Sequence, residues 1–189
     1  MKKFTINVEE FYAQFDKNKE IRKHIAELEK SGKDSSLLIS AFLLKSQLIE
    51  FELWKLIQTL DYCIIINLSS SHSIVTRIER TSDYFRDKTL GHLVTLVKEF
   101  EGLVSDEFKD DLTHLNGLRN DFIHHSFSSK KTISDLREDA GEGLKVGDKI
   151  LDEIYSIVDE IMSSDKDIND PIRQNLNWGG GTGRDAKSL

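Results

Sequence analysis

The string Leu118-Arg119-Asn120-Asp121-Phe122-Ile123-His124-His125 gathers residue types that suit acid–base and phosphate chemistry. A guanidinium presents a rigid fork to phosphate, an imidazole gains and loses a proton near neutral pH, and an amide can fix the ring's tautomer. On an ideal helix each residue turns by about 100°. With Arg119 at zero, Phe108, Leu112 and Leu115 fall at about −20°, 20° and −40°, and Phe122 and Ile123 at about −60° and 40°. Arg119 therefore sits in the apolar stripe, where an unpaired cation costs several kcal/mol. Something must meet it, and Glu50 and Glu52 are the candidate carboxylates. On the same wheel Asn120 falls near 100°, His124 near 140° and His125 near 240°, so His124 is the histidine that shares an arc with Arg119 and Asn120. Asn120 and His124 are also spaced i, i+4, which on a regular helix stacks the amide on the ring.

The elements that carry these residues read as helical. One proline in 189 residues is far below the average usage of about 5%, and helix interiors tolerate proline least. Asn7-Val8-Glu9-Glu10 reads as a helix start, and Ile21, Ile25 and Leu28 continue a helical pattern as far as Gly32. Asp34 is the expected N-cap of a central core helix running through Phe42, Leu48, Phe51, Trp54, Ile57 and Leu60. Residues 62–68 suit either a strand or a continuation of that helix, and helix is the reading adopted. A shorter helix is expected over Ile74 to Phe85, and another from Thr89, in which Gly91 marks a close contact between helices. Ser105-Asp106-Glu107 starts the helix that bears the motif. Residues 126–145 read as a long loop with one turn near Ile133 to Arg137, and a final amphipathic helix is expected from Ile150 to Ile161. The tail from 164, with its glycines at 179–181 and 183, has too little apolar content to fold alone.

Charge and cysteine content narrow the function. With 26 basic and 33 acidic residues the net charge is −7, a field that repels nucleic acid, so any such contact must be local. A single cysteine, Cys63, excludes an internal disulfide framework and a multi-cysteine zinc site. Met1 to Asn7 shows no apolar leader, which makes the cytoplasm the expected location, without membrane attachment. His92 and His114 read as exposed polar positions and Trp54 as core. The glycines at 179–183 lack the lysine of a phosphate-cradling loop. Lys130 and Lys131, just past the motif, could guide a phosphate backbone.

Arg119, Asn120 and His124 fill the three places of a motif that resembles the signature of the HEPN superfamily: an arginine, a polar residue next to it, and a histidine separated from the arginine by four to six intervening positions. Thr89-Leu90-Gly91 ahead of the motif is similar to what several members carry, including the mannitol operon repressor family. The resemblance covers about residues 35–163, with 1–34 as an N-terminal helical extension and 164–189 as a tail. It implies an all-α bundle of five to seven helices with an antiparallel up-and-down core, in a homodimer whose two motifs face each other. It also implies a metal-independent, cofactor-free endoribonuclease of the toxin or phage-defence kind, with RNA as substrate and an antitoxin or regulatory protein as partner. Arg119, Asn120 and His124 are the catalytic residues it implies, with His125 assisting His124 or replacing it, since the superfamily tolerates variable spacing. Two other readings stay open. One is a non-catalytic regulator or adaptor that keeps Arg119 in a structural ion pair, and the other is a module that binds phosphate without cleaving anything.

Overall fold

The computed structural model describes residues 8–30, 34–70, 84, 87–125 and 131–164, with side chains over 18–30, 34–61, 84, 87–124 and 131–161. Five helices and no strand occur among them: α1 (Val8–Lys30), α2 (Ser35–Ser70), α3 (Leu90–Val97), α4 (Asp106–Asn120) and α5 (Ile133–Ser164). A π-helical turn, Asp121–His125, extends α4. The expected helix at 74–85 and the tail lie outside the described residues, apart from Tyr84.

Local chemistry sets the helix starts. Asp34 Oδ1 accepts hydrogen bonds from the Ser36 N–H at 2.9 Å and the Ser36 hydroxyl at 2.7 Å, capping α2 as expected. Ser105 Oγ accepts from the Phe108 N–H at 3.1 Å and caps α4. Gly102, with φ 76°, supplies the left-handed residue in the turn between α3 and α4. Residues 62–68 lie within α2, so the β-branched run continues the helix.

The expected loop over 126–145 is corrected: α5 begins at Ile133. Its start is a capping box, in which Asp135 Oδ2 accepts from the Thr132 N–H at 2.7 Å and Thr132 Oγ1 accepts from the Asp135 N–H at 3.2 Å. Two of its glycines, Gly143 and Gly147, are packing residues. A Cβ on Gly143 would lie 2.3 Å from Phe42 Cε2, and one on Gly147 would lie 2.8 Å from Lys45 Cδ. These glycines let α5 approach α2 closely, so a composition that resembles a loop serves a helix contact.

Residue pairs across the helices fix their directions. Leu38 meets Gly141, Phe42 meets Gly143 and Lys45 meets Gly147, so α2 and α5 run parallel. Arg22 pairs with Glu52 and Glu29 with Lys45, so α1 runs antiparallel to α2. Asp111–Lys149 and His114–Glu142 set α4 antiparallel to α5. The four long helices thus alternate up and down along the chain. Their shared core is centred on α2, where Phe42, Ile49, Leu53, Leu56, Ile57 and Leu60 are buried. Full burial of each such side chain is worth about 1.5–3 kcal/mol.

Candidate functional site

Arg119 stands in the last turn of α4, where a cation meets the negative end of the helix dipole. Its side chain is 17% exposed, and Nη2 lies 3.2 Å from Glu50 Oε2 on α2. The partner that the apolar stripe demanded is therefore Glu50. Glu52 points elsewhere, towards Arg22 and Asn18 on α1 and Lys55 on its own helix.

Glu50 has a second task. The same Oε2 accepts the backbone N–H of Leu90 at 3.0 Å, the first residue of α3. Thr89, in the N-cap position, makes no side-chain cap, and its hydroxyl instead shares a hydrogen bond with His92 Nδ1 at 3.0 Å. One carboxylate on α2 thus satisfies an orphan donor of α3 and the guanidinium of α4 together. Gly91 completes the junction, because a Cβ there would sit 3.4 Å from the Asn116 amide. Gly91 does face α4, but at 3.4 Å the contact is an ordinary one that an alanine could also make.

Asn120, half-buried, ends the regular part of α4, and the next five residues form the π-helical turn. Hydrogen bonds from i to i+5 wind each residue through less than the α-helical angle, and such turns are frequent at functional sites. The wheel that placed His124 about 140° from Arg119 is corrected accordingly: residues five apart, as these two are, come closer in rotation. The i, i+4 stacking of Asn120 on His124 assumed a regular helix, which stops at Asn120. Within the turn Phe122 is buried against Phe42, with ring centroids 5.3 Å apart, while His124 is exposed and Ile123 is 48% exposed. An anchored phenylalanine therefore holds a turn that presents an imidazole and an aliphatic side chain to solvent. The His125 side chain and Lys130 lie outside the described residues.

Lys131 is not a bare cation. It reaches Asp139 at 2.7 Å and Asp121 at 3.4 Å, tying the start of α5 to the start of the π-helical turn. Its hydrogen bond to Asp139, followed by the attraction of both carboxylates, holds its pKa above the usual lysine range. His114, expected as a plain exposed position, is exposed but lies 2.8 Å from Glu142 on α5. Trp54 packs edge-on against Phe51 at 5.1 Å beside the core. Among the described residues no group of three or more His, Cys, Asp or Glu side chains could hold a metal ion. No helix among them is long and apolar enough to cross a membrane.

The arrangement offers a largely desolvated guanidinium, oriented by one carboxylate, and an exposed imidazole one wide turn further on. Such a pair can hold a phosphate and exchange a proton beside it. Sequence reasoning missed the double role of Glu50, since no local pattern links residue 50 to the start of a helix forty positions later. In comparison with known proteins, no family model, no curated protein and no solved structure matches this chain.

Proposed function

We propose that the protein is a metal-independent endoribonuclease of HEPN type that works as a homodimer, in the manner of a toxin or defence effector. The observation that carries this reading is the junction of Arg119 with Glu50 at the foot of a π-helical turn that exposes His124. In the reaction His124 takes the proton of the ribose 2′-hydroxyl as that oxygen attacks the adjacent phosphorus. The bond to the 5′-oxygen breaks, the leaving oxygen takes up a proton, and the products are a 2′,3′-cyclic phosphate and a 5′-hydroxyl. Arg119 stabilises the extra charge on the five-coordinate phosphorus, and Glu50 limits the directions in which the guanidinium can point. On this reading Asn120, at the seam between regular helix and wide turn, holds the imidazole ring or the phosphate.

The test is incubation of the purified protein with cellular RNA in EDTA, beside His124→Ala prepared identically. Cleavage leaving 2′,3′-cyclic phosphate ends, and its loss in the substituted protein, is the expected result. Intact RNA in both samples, from folded protein, overturns the nuclease reading.

One observation favours a second reading. A 3.2 Å ion pair whose carboxylate also caps another helix is what a purely structural arginine makes. On that reading the protein is a HEPN-like regulator or adaptor acting through protein contacts. Arg119→Ala then lowers stability and leaves no activity to lose.

A further inference from the structure

Two ion-paired layers cross the seam where α1 lies on α2 and α5. In the first, Lys45, only 4% exposed, is held at 2.6 Å by Glu29 of α1 and at 2.6 Å by Asp148 of α5. In the second, Glu52, 1% exposed, accepts from Arg22 of α1 at 3.1 Å, with Asn18 and Lys55 beside it. Arg22 also hydrogen-bonds the Tyr155 hydroxyl of α5 and lies over its ring. The layers are seven residues apart on all three helices: Arg22 and Glu29, Lys45 and Glu52, Asp148 and Tyr155. Buried Ile25 lies between them on α1.

We infer that these layers are a register lock that permits one axial position of α1 and no other. An apolar seam with a seven-residue repeat tolerates sliding by whole repeats, and buried polar groups are the established means of forbidding it. Here the signs are opposite in the two layers. Sliding α1 by seven residues one way sets Glu29 beside Glu52, a move that the short connection from Lys30 to Ser35 also opposes. Sliding it the other way sets Arg22 beside Lys45 and buries Glu29 against Leu38. A slip of three or four residues places Glu29 at the level of Leu48, Ile49, Phe42 or Ala41, leaving a carboxylate without a cation. Each wrong register thus brings like charges together or strands a buried one, and only the observed register pairs them all. The lock has a functional meaning independent of any nuclease activity: it makes α1 a fixed wall of the bundle.

The test uses nitroxide labels at Lys23 and Lys149, exposed positions on α1 and α5, in a Cys63→Ser background. The parent protein is expected to give one interlabel distance. Replacing the layers together with apolar groups, Arg22→Met, Glu29→Leu, Lys45→Met and Glu52→Leu, is expected to keep the helix content and add a second population. That population corresponds to α1 displaced by about 10 Å along its axis, two helical turns. A second version, Arg22→Glu with Glu29→Arg, keeps every apolar residue, sets like charges together in the parental register and opposite charges together one repeat away, and so gives the displaced population if the apolar protein aggregates. A single parental distance in the substituted proteins overturns the lock.

Discussion

Glu50 shares one oxygen between a guanidinium and a backbone N–H, and its glutamine variant separates the two duties. In Glu50→Gln the amide oxygen still accepts from Leu90, so α3 stays seated, but Arg119 loses its charged partner. On the nuclease reading kcat is expected to fall about 100-fold, the scale on which a small misplacement of a reacting group is felt, and the melting temperature falls as well, because the part-buried guanidinium loses its carboxylate. Unchanged cleavage by Glu50→Gln would show that the carboxylate does not orient Arg119. Arg119→Ala is expected to cost about 2 kcal/mol in a denaturant titration, the scale of a hydrogen bond to a charged group. Glu50, which keeps its bond to Leu90, is not left wholly bare. The anomaly of Arg119 was legible in the sequence because α4 is a regular helix up to Asn120, so its wheel is accurate there. The choice between Glu50 and Glu52 was not, because it depends on α1, which claims Glu52 from the opposite side.

At the scale of elements, the glycines of α5 separate helix propensity from packing. A Cβ on Gly141 would have only Leu38 Cδ2 nearby, at 3.9 Å, and one on Gly117 of α4 would meet nothing within 4 Å. Alanine at either is expected to stabilise the protein by up to about 1 kcal/mol. Gly143→Ala adds a methyl group where the ring of Phe42 lies, and Phe42 is itself wedged against Phe122. It is expected to destabilise by about 1–3 kcal/mol despite its better propensity, and to disturb the turn that bears His124. Urea titrations of the three variants check the ranking, and a stabilising Gly143→Ala would contradict the close α2–α5 contact. The start of α5 predicts a pH effect. The Thr132 N–H, and then its hydroxyl, hold the Asp135 carboxyl below its ordinary value of 3.8. The unfolded chain therefore binds this proton more readily, so the bond stabilises the fold above that value and is lost as pH falls through the lowered one. The melting-temperature advantage over Asp135→Asn is expected to be constant near neutrality and to vanish below the carboxylate range. Helices starting at Asp34 and Ser105 were legible from their caps. The first half of α5 was not, because Gly141, Gly143 and Gly147 resemble a loop until Phe42 and Lys45 are seen to fill the space beside them, although Thr132-Ile133-Ser134-Asp135 already spelled the cap.

Across the whole molecule, a net charge of −7 disfavours broad gathering of RNA, and Lys131 beside the motif is held by two carboxylates. The nuclease reading then needs a substrate contact confined to the motif, and a second copy of the chain is the economical way to enlarge it. Ile123 is the side chain to probe, since it is 48% exposed in the same turn as His124. A buried core residue would confuse folding with assembly, whereas an aspartate at this half-exposed site changes surface chemistry alone. In sedimentation equilibrium the parent protein is expected at twice 21.7 kDa, and Ile123→Asp at the monomer mass with its helix content intact. If cleavage needs two facing motifs, activity disappears with the dimer and returns with protein concentration. A parent protein that stays monomeric, or an Ile123→Asp protein that stays dimeric, removes this turn from the interface. His124 would then have to act from a single chain, beside the Arg119 of that same chain.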